Sequence, residues 1–308
     1  MAKIFIEEST LTNIGDAIRK KEGSTELISP MDMGSRIEAI KDDSGSGSNK
    51  LPQVIDGTVT EITAEDLKGA TSIKQYAFYA CKSMVSARIP NIITINNNAF
   101  EKCILLNDID LSNVVSIGAY AFKECDALIT VNLPSLTNVT GSSAFTYCTK
   151  LESFNAPKLS SITQNLLSQN KKLKNVFLPN ATILNLAAFM NCTAITILDF
   201  PKLSTIPGSS VFIGCKSLKS LILRNTEKIV TLSDDSLAST PISTSGTSTD
   251  VEYGTGYIYV PRAFLNSDDP TFDYRQKTNW SNYASQFRAL EDYTVDGTTT
   301  GEIDPNKI

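Results

Sequence analysis

Few residues in this chain have the chemistry to catalyse a reaction or to hold a metal. Histidine is absent from all 308 positions. That removes the commonest general base, the commonest transition-metal ligand and every triad that runs through an imidazole. Six cysteines remain, at positions 81, 103, 125, 148, 192 and 215. None forms a C-x-x-C pair, so a thiolate metal site lacks its usual spacing. Their gaps of 22, 22, 23, 44 and 23 residues form a regular series instead. Side chains stacked at a fixed period point the same way, which is poor geometry for bridging, and Cys148 and Cys192 stand two periods apart. The cysteines are therefore expected to be reduced and buried. The local pair of carboxylates in Asp108-Ile109-Asp110 puts two acids on one face of a strand. With no acid partner and no pocket in the pattern, it reads as a solvated strand first, a weak cation site second and a catalytic pair last. No catalytic residue, metal ligand or cofactor is assigned, and an enzyme is not expected.

The cysteines belong to a longer phrase, A-F-x-x-C-x-x-L, that sets the architecture. It runs Ala77-Phe78 to Met84, Ala99-Phe100 to Leu106, Ala121-Phe122 to Leu128 and Ala144-Phe145 to Leu151. It weakens at Leu166-Leu167 with Asn170 and Leu173, then returns at Ala188-Phe189 to Ile195 and Val211-Phe212 to Leu218. Residues at the Phe position lie 22, 22, 23, 22, 22 and 23 apart. A fixed period of that length marks a solenoid.

The register follows from the cysteine. Aliphatic residues stand three, six and eight positions later, often followed by proline, as in Leu128-x-x-Val131-x-Leu133-Pro134. This L-x-x-L-x-L pattern is a strand with alternate side chains facing inward, and the proline removes a ladder donor and turns the chain. A second apolar beat, Leu136…Val139 or Leu203…Ile206, supports the next side of each coil, and the A-F-x-x-C segment is expected to close it as a short helical turn. The fold class is thus a repeat solenoid of the leucine-rich-repeat type. It has a parallel β-sheet on one face and short helical turns on the other, in a body ~34 Å long.

These phrases resemble the BspA-like, or Treponema-type, leucine-rich repeat family over roughly residues 54–290. The departures are Leu166-Leu167 and Asn170 in the fifth repeat, Ser112 for proline in the second and Arg224 for proline in the seventh.

The flanks divide the chain further. Residues 1–41 read as two short helices, one carrying Leu11, Ile14 and Ile18 and one carrying Met33 and Ile37. Residues 42–50 form a Gly/Ser linker, residues 51–261 the solenoid, 262–292 a helical C-terminal cap built on Trp280, Tyr283 and Phe287, and 293–308 a hairpin and tail. The run Ser9 to Lys21, with Ile28-Ser29-Pro30-Met31-Asp32-Met33 and Ile37 to Ile40, resembles an N-terminal module of tail-associated proteins. Such proteins occur in phages and prophages of Gram-positive bacteria. That resemblance implies attachment to other virion proteins through Leu11, Ile14, Ile18, Met33 and Ile37.

Composition limits the partners. Lys and Arg number 28 against 33 Asp and Glu, a net charge of -5 that disfavours a grip on nucleic acid or anionic lipid. No apolar run approaches the ~20 residues that span a bilayer. The start of the chain lacks the apolar core of a secretory signal, so synthesis in the cytoplasm is expected. In a solenoid the natural contact surface is the set of strand residues that face solvent. Of these, the candidate ligand-binding residues are Arg88, Asp108, Asp110, Asn132, Asn155, Asn175, Phe177, Ile197, Asp199, Ile222, Tyr257 and Tyr259, with Phe177, Ile197, Ile222 and the two tyrosines as exposed apolar anchors. The expected function is a non-enzymatic phage virion protein, tail-associated or receptor-binding, that grips a host cell-surface protein or glycan. The alternative is a bacterial cell-surface adhesin of the BspA-like family. A homotrimer stays open, although no heptad run enforces one.

Overall fold

In the computed structural model of the chain, residues 59–67, 69–233 and 236–292 are described. The expected attachment module, linker and terminal hairpin lie outside them. Eighteen short strands are found among the described residues. In chain order they are β1 Glu61–Ile62, β2 Ser72–Ile73, β3 Ser86–Ala87, β4 Thr94–Ile95, β5 Asp108–Ile109, β6 Ser116–Ile117, β7 Thr130–Asn132, β8 Asn138–Val139 and β9 Ser153–Asn155. There follow β10 Ser161–Ile162, β11 Asn175–Phe177, β12 Ile183–Leu184, β13 Ile197–Phe200, β14 Thr205–Ile206, β15 Ser220–Leu223, β16 Thr231–Leu232, β17 Tyr257–Val260 and β18 Phe287–Ala289. They pair in five sheets, β1-β3-β5, β7-β9-β11 and β13-β15-β17-β18 on one side and β2-β4-β6-β8 and β10-β12-β14-β16 on the other, so odd pairs with odd and even with even until β17 meets β18; all these pairings are parallel.

Each coil therefore has two strand sides rather than one. The odd strands are the L-x-x-L-x-L segments. The second apolar beat forms strands of its own, so Ile95, Ile117 and Val139 stack in a second parallel sheet. Period-two alternation explains both: Ile95 and Ile117 are fully buried while Thr94 and Ser116, beside them, reach the surface.

The third side corrects the expectation of short helical turns. Each A-F-x-x-C segment has two residues in the left-handed region four positions apart, such as Tyr76 and Ala80, Asn98 and Lys102, or Tyr120 and Glu124. Its alternate amides donate to the following coil: Tyr76 N to Asn97 O at 3.2 Å, Phe78 N to Ala99 O at 2.8 Å and Ala80 N to Glu101 O at 2.7 Å. The same three bonds recur from coil to coil as far as Asn191 N to Ile213 O. An amide that bonds to a neighbouring coil is not available to close an i→i−4 helical ring, so the segment is a row of tight turns.

The core is a column of aromatic rings. Phe78, Phe100, Phe122 and Phe145 stack with centroids 5.2, 5.3 and 5.0 Å apart. Leu167 interrupts the column, and there Phe154 packs edge-on against Phe145 at 5.3 Å and Phe200 leans on Phe189 at 6.0 Å. The six cysteines are free and buried, as their spacing suggests. Each of five thiols donates to the carbonyl of the Phe-position residue one coil back: Cys103 to Phe78 at 3.0 Å, Cys125 to Phe100 at 3.0 Å, Cys148 to Phe122 at 3.1 Å, Cys192 to Leu167 at 3.0 Å and Cys215 to Phe189 at 3.1 Å.

The one-residue difference between coils has a definite address. Three residues separate Ile117 from the left-handed Tyr120, and four separate Val139 from Ser143 and Ile206 from Ser210. The extra residue sits at the corner after the even strand, at Gly141 and Gly208. A Cβ at Gly208 would lie 2.1 Å from the Leu186 amide nitrogen, and one at Gly141 2.6 Å from the Ala119 Cβ, so only glycine fits.

At the C-terminal end the expected helices are 3-10 segments, Pro270–Phe272 and Trp280–Gln286, and Phe287 lies on a strand. The cap finishes the hydrogen bonds of the last even strand. Trp280 Nε1 donates to Val230 O at 2.6 Å, Asn279 Nδ2 donates to Leu232 O at 2.7 Å, and Tyr274 Oη accepts from Val230 N at 2.9 Å. Trp280 is fully buried, which makes it a capping residue.

Candidate binding face

The position seven residues after each cysteine points outward from the odd-numbered strands. They form a row by repeat position, and parallel register fixes it in two runs: Asn132 beside Asn155 beside Phe177, and Asp199 beside Ile222 beside Tyr259 beside Arg288. The sheet holds them rigidly because each strand's other face is locked into the core.

At the N-terminal end the row is charged. The Arg88 guanidinium meets Asp108 at 3.3 Å and approaches Glu61 at 4.0 Å. Asp110 Oδ1 accepts from Ser112 N at 3.0 Å, using the amide freed where other repeats carry proline. Both carboxylates of the Asp108-Ile109-Asp110 pair thus have partners within the protein, and the pair stands as a solvated, ion-paired strand end. Among the described residues no group of three or more Cys, Asp or Glu is placed to hold a metal ion.

The middle of the row is amide and aromatic. Asn155 Nδ2 donates to Asn132 Oδ1 at 2.8 Å, while the buried Asn155 Oδ1 has no partner. Phe177 is 57% exposed beside them, and Asn175 is exposed on the same strand. Asp199 comes next. Arg224 Nε donates to its two oxygens at 3.0 and 2.9 Å. Burial pushes the Asp199 carboxyl up from its ordinary range, and the Arg224 charge and hydrogen bonds pull it partway back. Arg224 occupies a position where other repeats have proline, and it was legible as a departure without its ion pair being so.

The C-terminal part of the row differs from the expectation. Ile222 and Tyr259 are buried, at 3% and 0% exposure, in a small cluster with Leu290 against which Ile197 and Tyr257 pack. The reason is local: the chain leaves β18 and brings Leu290 over the outer face of the sheet. The Arg288 guanidinium also lies 4.0 Å from the Tyr257 ring centroid, a cation–π contact. Ile222 and Tyr259 are therefore not exposed anchors, and Ile197 and Tyr257 are half-buried. Neither Arg288 nor Leu290 falls in the repeat period, so no periodic signal marked them. Leu11, Ile14, Ile18, Met33 and Ile37, expected at the attachment module, lie outside the described residues. Among those residues no helix is long and apolar enough to cross a membrane.

Comparison with known proteins agrees with this geometry. The family model for the BspA type leucine rich repeat region matches in six copies, over residues 71–196 and 144–259. None of the curated proteins matches the chain. Among solved structures, a leucine-rich repeat protein from Eubacterium ventriosum is similar at 23% identity and a TM-score of 0.50, over 59% of this chain and 49% of its own. A leucine rich cell surface protein from Faecalibacterium prausnitzii is similar at 27% identity and a TM-score of 0.47, over 51% of this chain and 44% of its own. The aligned part thus spans about half the length of either protein. With coils of 22 or 23 residues and parallel strands repeated through the matched residues, the chain belongs to the BspA-type leucine-rich repeat family.

Proposed function

We propose that this chain is a non-enzymatic adhesion or interaction protein, and that its partner, a cell-surface protein or glycan, docks on the odd-numbered strands around Phe177. One observation carries this reading. Phe177 stands 57% exposed on a rigid sheet, whereas the other large apolar groups of its row, Ile222 and Tyr259, are covered by the protein itself. A large aromatic group left in water beside amides with unused capacity has the composition of a contact hot spot. Asn132, Asn155, Asn175 and Asp199 surround it with polar groups, and Arg88 with Asp108 and Asp110 extends the face. Family membership supports a surface adhesin over a virion protein. The virion reading draws on the resemblance of residues 9–40 to tail-associated proteins.

Binding of the labelled full chain to a panel of bacterial and mammalian cells tests the face. Phe177→Ser should weaken saturable binding by about thirtyfold, the loss of a ~2 kcal/mol hot spot; equal binding by both proteins would remove this face from consideration. For the virion reading, deletion of residues 1–41 should leave a soluble solenoid that no longer co-purifies with particles.

A further inference from the structure

The two longer coils frame a second site, at the corner that follows the even strands. Gly141 and Gly208 mark coils three steps apart, ~14 Å along the solenoid axis. Between them the corner forms an open groove of about 590 Å³, within the range of small-ligand sites. Thr163, Gln164 and Asn185 come from the two intervening coils, with Ser142 at one end and Leu186 and Pro207 toward the other. None of the residues that line it is charged or aromatic.

Its polar groups are under-used. The buried Thr163 Oγ1 has no hydrogen-bond partner. Ser142 and Gln164 add a hydroxyl and a side-chain amide to the lining. Asn185 donates its Nδ2 to Ile162 O at 2.9 Å, which leaves Oδ1 to accept. Leu186, 38% exposed, adds an apolar edge. A charged ligand would find no counter-charge here, and a peptide would find no deep apolar pocket for an anchor. A sugar ring matches both properties. Its hydroxyls donate and accept towards hydroxyls and amides, and its C–H face covers Leu186 and Pro207.

We propose that this groove binds a neutral saccharide, one or two pyranose rings of a glycan chain. It shares no residue with the odd-strand face, so the fate of one proposal leaves the other standing.

Amide NMR titration of the full chain with maltose, lactose, cellobiose and N,N′-diacetylchitobiose tests it, with sialyllactose as a charged comparison. At least one neutral sugar should shift the amides of Gly141, Ser142, Gln164 and Gly208 with a dissociation constant on the order of millimolar. Thr163→Val, which keeps the side-chain shape, and Gln164→Ala should each weaken it about three- to tenfold, with no loss of melting temperature and with Phe177→Ser binding as wild type. Absence of shifts with every neutral sugar, stronger binding of the charged one, or unchanged affinity in both groove variants would overturn the assignment.

Discussion

Asn170 Nδ2 donates to the carbonyl of Phe145 at 2.9 Å, the contact that a cysteine thiol makes in every other coil of the ladder described above. The fifth repeat thus departs from the pattern in residue type and keeps its hydrogen bond. The substitution is incomplete, because the buried Asn170 Oδ1 has no partner. Asn170→Cys should remove that orphaned oxygen and retain the inter-coil donor. It is expected to stabilise the fold by about 1–2 kcal/mol, read as a higher urea midpoint at constant slope. A lower midpoint would mean that the second Asn170 bond, to Leu167 O at 2.9 Å, matters more than the orphan.

Phe122 lies at the centre of the longest uninterrupted aromatic stack, between Phe100 at 5.3 Å and Phe145 at 5.0 Å. In a linear stack the coils above and below cannot close a void without breaking their own strand register. Phe122→Ala should cost about 3–5 kcal/mol, and a loss below about 1 kcal/mol in urea denaturation would contradict the register.

The buried thiols make stability fall in alkali. Burial pushes Cys148 and Cys215 up to about 12, and Cys125 and Cys192 well above the ordinary thiol range. In the unfolded chain these groups ionise near pH 9, while in the native protein Cys148 and Cys215 keep their protons until about pH 12 and burial likewise holds Cys125 and Cys192 protonated above the ordinary thiol range. The native state therefore binds more protons across that window, and each thiol removes about 1.4 kcal/mol of stability per pH unit. The urea midpoint should fall steeply as the pH rises from about 9 towards about 12; a flat profile would refute it. The same burial predicts that Ellman's reagent labels none of the six cysteines before unfolding and all of them after.

Trp280 closes the solenoid by hydrogen bond as well as by area. Trp280→Phe keeps an aromatic ring and leaves Val230 O without its 2.6 Å donor. The expected cost is about 1–3 kcal/mol, with the earliest loss of amide protection at Thr231 and Leu232 if the end frays first. Uniform loss of protection along the solenoid would show instead that the coils unfold as one unit.

Much of the fold was legible because one repeat states it many times. Phe78, Cys81 and Met84 recur as a set, and any single exception, such as Leu167 with Asn170, is read against its neighbours. The second sheet was legible only as a second apolar beat, since two-residue strands leave no alternation to count. The turns were misread as helical for a similar reason: helical and left-handed turns share an i→i+3 contact, and sequence does not say that Phe78 N reaches Ala99 O. On the candidate face, outward direction was correct for Ile222 and Tyr259, but exposure was not. Burial there depends on where Leu290 returns, a tertiary event outside the period. The groove at Gly141 and Gly208 was present in the spacings as two values of 23 and had no meaning until their corner was located.

The third side of the coils has one further property. At every step its amides donate forward, from Tyr76 N to Asn97 O through Asn191 N to Ile213 O, and none of these bonds runs back. Peptide dipoles aligned in this way sum along the axis as they do in a helix, but with the N–H ends toward the C-terminus. That flank of the solenoid is thus a macrodipole of reversed polarity, positive at its C-terminal end and negative where the chain enters. The two strand sides carry the opposite sense, since their amides donate back, as from Arg88 N to Ile62 O at 2.8 Å and Asn96 N to Ile73 O at 3.0 Å, so the flanks of each coil offset one another and adding or removing repeats would keep that balance.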